Sequence, residues 1–81
     1  MKPLTHLQPG QRAFIVDMRN SHYCEKLFEL GVFPGDMVEI KENPGDGHSI
    51  VVKINNHTYN IFKGAAESIM TNIVSFDICL N

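Results

Sequence analysis

The run KLFELGVFPGDMVEI, Lys26 to Ile40, leaves the chain few options. Its first part has helical apolar spacing, with Tyr23, Leu27 and Leu30 on one face and Cys24 and Phe28 beside them. Gly31 follows, the residue best suited to the left-handed position beyond a helix C-terminus. Phe33-Pro34-Gly35-Asp36 then predicts a type II turn: proline presets φ at the second position and glycine accepts a positive φ at the third. From Asp36 onward the pattern has period two, with Val38 and Ile40 on one side and Glu39 and Lys41 on the other. A helix, a stop, a reversal and a strand therefore meet without slack.

The flanking segments read as strands. Pro9-Gly10 is a turn signal, and Arg12 to Met18 (RAFIVDM) is rich in β-forming residues. Asn20 or Ser21 can cap the helix. Asn43 to Gly47 is a loop, and Ile50, Val52 and Ile54 are the inward set of the next strand. Asn55-Asn56 suits a tight hairpin returning through His57 to Phe62. Lys63 to Ser68 fits one helical turn. Beyond it Met70, Val74, Phe76, Ile78 and Leu80 alternate with Thr71, Ser75 and Asp77, predicting a further strand with Met70 inward. No internal repeat is apparent. Because a small domain must hide its sheet edges, the pattern predicts a mostly β, closed SH3-like barrel of about five strands, with a short helix inserted between the first and second. The chain reads as a single domain over 1–81, with 72–81 as a C-terminal extension.

At 81 residues there is material for one core and little for a deep substrate cleft. A net charge of -2 argues against nucleic acid or an anionic membrane as partner. No apolar run approaches the ~18 residues of a spanning helix, and MKPLTHLQPG lacks the apolar centre of a signal peptide, so no direct membrane insertion and a cytosolic location are expected. Cys24 and Cys79 read as free thiols.

His22-x-Cys24 is the nearest approach to a metal constellation, since imidazole and thiolate suit transition metals such as ferrous iron. Residues two apart on a helix diverge by about 200°, however, and no second ligand pair supports them. His6, His48 and His57 are isolated in sequence. Apart from His22, no histidine stands at a spacing from either cysteine that argues for the adjacent base nucleophilic catalysis requires, and no enzymatic activity is expected. Gly45-Asp46-Gly47 lacks the Gly-Lys-Ser/Thr and helix of a phosphate loop and reads as a hairpin loop. In the opening run Leu27, Leu30, Val38 and Ile40 read as core. Phe28 and Phe33, with Pro34 beside them, admit two readings: an exposed aromatic docking corner, or a packed corner in which Phe33 staples the helix end.

The order of these motifs resembles the FeoA family, small cytosolic accessory proteins of bacterial ferrous-iron transport. The matching residues are Leu4, Leu7, Pro9 and Gly10, then Leu30, Gly31, Pro34 and Gly35, then Val38 and Ile40, then Ala66 and Ile69. The resemblance covers Leu4 to about Thr71. It implies an SH3-like fold and a role beside FeoB, the membrane ferrous-iron permease with a cytosolic GTP-binding domain, and it does not imply catalysis; a monomer, peripheral to the inner membrane through its partner, is expected. Two alternatives accompany it: a protein that itself binds Fe2+, and a stand-alone SH3-like domain related to metal-dependent repressors. The chain departs from the family pattern in having Ile61-Phe62 followed by Lys63 where a Leu-Arg pair is common, and in continuing from Asn72 to Asn81.

Overall fold

The computed structural model describes residues 1–19, 21–45 and 47–74, with Ser21 and Tyr23 described by their backbone alone. The expectations for an Asn20 or Ser21 cap, for the Tyr23 side chain, for Cys79 and for the apolar residues from Phe76 to Leu80 lie outside this description.

The elements are β1 (Lys2–Pro3), a 3-10 turn (Leu4–His6), β2 (Arg12–Met18), α1 (Ser21–Glu29), β3 (Met37–Glu42), β4 (Ser49–Ile54), β5 (His57–Phe62), α2 (Lys63–Glu67) and β6 (Ile69–Ile73). The strands form one antiparallel sheet in the order β1-β6-β2-β3-β4-β5. The architecture is mostly β, as expected, with six strands rather than five. The two-residue β1 places the helix between the second and third strands instead of the first and second.

The sheet also stays open, correcting the expectation of a closed barrel: β1 and β5 are its two edges and do not pair. β1 pairs only through Lys2 with Thr71 and Pro3 with Met70, and the chain then turns away into the 3-10 turn. A two-residue strand containing proline, which has no N–H to donate, cannot complete a ladder. Instead α2, with Ala65 and Ala66 buried, packs against the 3-10 turn and against β4, β5 and β6.

The core gathers alternate residues of each strand: Ala13 and Ile15 of β2, Val38 and Ile40 of β3, Ile50, Val52 and Ile54 of β4, and Ile61 of β5. In β6 the inward residues are Ile69 and Thr71, while Met70 is half-buried, so the expected phase is reversed. Period two allows either phase. The observed one is possible because Thr71, fully buried, donates its hydroxyl to the Lys2 carbonyl at 2.9 Å. Asn43 similarly ties the N-terminal turn down, donating Nδ2 to the carbonyls of Thr5 (3.1 Å) and Leu7 (2.7 Å).

β2 and β3 are related by a local two-fold that the sequence reading misses. Ala13 pairs with Val38 near the axis. Each strand is preceded by a Pro-Gly turn, Pro9-Gly10 and Pro34-Gly35, and each register shifts just past an isoleucine, between Ile15 and Asp17 and between Ile40 and Glu42. The intervening Val16 and Lys41 face solvent. Such bulges add twist, which curls the sheet around a small core.

Candidate functional site

α1 buries a stripe of Cys24 and Leu27, with Phe28 partly covered against the same core. Its end is a Schellman motif. The Val32 amide donates to the Leu27 carbonyl at 2.9 Å, the Gly31 amide donates to the Phe28 carbonyl at 3.0 Å, and Gly31 has φ of +90°. Val32, fully buried, meets the core beside Leu27. Leu30, expected in the core, is instead 51% exposed. It falls about 60° round the helix from Leu27 and about 120° from Cys24, at the edge of the buried stripe, and Val32 takes the place the sequence reading assigned to it.

The following turn is type II as predicted. Asp36 donates its amide to the Phe33 carbonyl at 3.1 Å, and Gly35 has φ of +102°. A carboxylate oxygen of Asp36 accepts the Phe33 amide at 2.9 Å, so both ends of the turn are tied. On this frame the rings of Phe28 and Phe33 stack with centroids 5.7 Å apart and an interplanar angle of 25°. Phe33 is 49% exposed and Pro34 is exposed, whereas Phe28 is half-buried. The structure thus joins the two rings that the sequence reading singled out, with Phe28 as the anchored member and Phe33 as the outward one.

The same helix keeps His22 and Cys24 apart: His22 is exposed and Cys24 is fully buried. Burial pushes the Cys24 thiol above its ordinary value by desolvating the thiolate, the opposite of what a metal ligand or nucleophile needs. His6, His48 and His57 are all exposed. Among the described residues no group of three or more His, Cys, Asp or Glu side chains could hold a metal ion. The Asn43 to Gly47 segment joins antiparallel strands β3 and β4, and β4 rather than a helix follows it.

A second surface was not anticipated. Between α1 and β5 lies an open groove of about 320 Å³, lined by Lys26, Leu27 and Leu30 on one side and by Tyr59, Ile61 and Phe62 on the other. Leu30 and Phe62, 51% and 50% exposed, give it an apolar mouth. Ile61-Phe62, adjacent apolar residues on one strand, carried the signal: alternation sends one of them outward.

Among the described residues no helix is long and apolar enough to cross a membrane. The fold is that of a small SH3-like β domain that exposes apolar side chains at Phe33, Leu30 and Phe62. The FeoA-domain profile matches residues 2–72, and the chain belongs to the FeoA family. An iron uptake regulatory protein (FeoA) of known structure is 26% identical, with a TM-score of 0.79 over 89% of this chain and 96% of the other. Iron(II) transport protein A from Clostridium thermocellum is 35% identical, with a TM-score of 0.77 over 91% of this chain and 46% of the other. A manganese-dependent transcriptional repressor, in complex with manganese, shares the fold with a TM-score of 0.78 over 90% of this chain and 36% of the other; at 13% identity the likeness is one of fold alone. No curated protein sequence is significantly similar to this chain. Family membership implies a role in ferrous-iron transport.

Proposed function

We propose that this protein is a non-enzymatic accessory module that docks on the cytosolic part of a FeoB-type ferrous-iron permease and regulates or assembles it. The observation that carries this reading is the Phe28–Phe33 stack on a corner tied at both ends, with Phe33 presented to solvent. A rigid aromatic loses little conformational entropy when it is buried against a partner, which is why such residues anchor protein interfaces. Pro34 continues the same exposed surface.

The test is the affinity of the purified protein for the cytosolic domain of a FeoB-type permease from the same organism, with iron-uptake complementation as the cellular readout. Binding weakened by Phe33→Ser in a folded variant supports the reading. Undiminished binding removes the corner from the interface. An anaerobic Fe(II) titration addresses the alternative of a metalloprotein: stoichiometric binding tighter than ~1 μM, abolished by His22→Ala or Cys24→Ala, would replace docking as the primary activity.

A further inference from the structure

We infer that the groove between α1 and β5 receives an extended segment of the partner, which adds as a further strand on the β5 edge; the inference rests on the docking reading above and names the chemistry of what docks. In the β4–β5 hairpin the residues flanking Asn55-Asn56 pair as Ile54 with His57, then Val52 with Tyr59 and Ile50 with Ile61. Those alternate pairs exchange the ladder hydrogen bonds, so the N–H and C=O groups of Thr58 and Asn60 point away from β4. Among the described residues no backbone group bonds to them.

Native edge strands are usually blunted by lysine, proline or an inward charge. β5, HTYNIF, contains no lysine, no acidic residue and no proline. Beside the outward groups of Thr58 and Asn60 the groove supplies what strand addition needs for selectivity, an apolar trough for alternate side chains between Leu27 of α1 and Leu30 just past its end and Ile61 and Phe62 on β5. Of the residues lining it only Lys26 is charged, and Lys26 makes no ion pair among the described residues. The occupant is therefore an extended peptide with apolar residues at alternate positions and a carboxylate placed to meet Lys26.

The experiment measures amide hydrogen exchange of the full chain, free and saturated with the cytosolic domain of the permease, together with binding of peptides of about a dozen residues tiled across that domain. The expected result is selective protection of the Thr58 and Asn60 amides, and capture of one acidic, alternating peptide. That peptide should bind roughly ten-fold more weakly to Asn60→Pro, which removes an outward amide, and to Leu30→Asp. Should either variant fail to fold, the exchange measurement on the unaltered chain still decides the matter. Domain binding with both amides unprotected overturns strand addition and leaves the docking reading intact. Peptide binding with these protections but no binding of the intact domain supports strand addition and overturns the permease as partner. Protection that rises with protein concentration alone assigns the edge to a second copy of this chain and overturns the inference, and no binding of domain or peptide overturns both readings.

Discussion

Gly35 donates its amide to the carbonyl of Ile15 at 2.7 Å, and Ile15 donates its own amide to the Asp36 carbonyl at 2.9 Å. The opposite turn repeats the pattern: Gly10 donates to Ile40 at 2.8 Å, and Ile40 donates to Gln11 at 3.0 Å. Each Pro-Gly turn thus grips the core isoleucine of the neighbouring strand. The turn that presents Phe33 is in this way bonded directly to the centre of the sheet.

Gly35→Val and Gly31→Val should each cost about 1–3 kcal/mol, because their φ values of +102° and +90° are strained for a β-branched residue. A Cβ at either position would meet nothing within 4 Å, so the penalty is conformational and Gly35→Asn should be milder than Gly35→Val. Thermal melts that rank Asn and Val equally would show the cost to be one of packing.

Thr71→Val keeps the shape but leaves the Lys2 carbonyl without its 2.9 Å donor. The expected loss is about 1 kcal/mol, seen as a fall in Tm of about 4–8 °C. An unchanged Tm would mean that the hydroxyl tether of β1 adds nothing beyond the two strand pairs.

Cys24 should resist thiol reagents in the folded protein, since its side chain is fully buried and burial raises its pKa. A Cys79→Ser background isolates its signal, and labelling should then follow unfolding. The pH dependence has a definite sign. Above the ordinary thiol value of 9.0 the unfolded chain releases a proton that the folded chain keeps, so this contribution to stability is complete below that value and is lost as pH rises towards the folded pKa. Stability rising with pH in that range in the parent, relative to Cys24→Ala, would contradict the assignment.

Phe28 and Phe33 should separate stability from binding. Phe33→Ser is expected to melt near the parent, within about 0.5 kcal/mol, while weakening permease binding by about 2 kcal/mol. Phe28→Ser, which opens the partly buried side of the stack, should lower stability by more than Phe33→Ser does. Melts alongside titrations of both variants check this, and equal destabilisation would make the pair a packed corner.

Local chemistry alone determined the helix stop at Gly31, the type II turn at Pro34-Gly35, the Asn55-Asn56 hairpin with φ of 53° and 66°, and the inward residues of β3 and β4. These depend on side-chain sterics and on a two-residue alternation contained within a few positions of the chain. Tertiary structure decided the rest, because burial depends on what an element packs against. Leu30 and Val32 are both apolar and two residues apart, and the Schellman turn buries Val32 and exposes Leu30. Thr71 could enter the core because β1 brings the Lys2 carbonyl to it from the far end of the chain. Sheet closure was beyond the strand pattern too, since Pro3 ends β1 before a ladder to β5 can form and α2 packs across instead. The same open sheet that the pattern could not foresee leaves the outward backbone groups of Thr58 and Asn60 without a strand partner among the described residues, beside Leu30, so the groove exists only as a product of assembly.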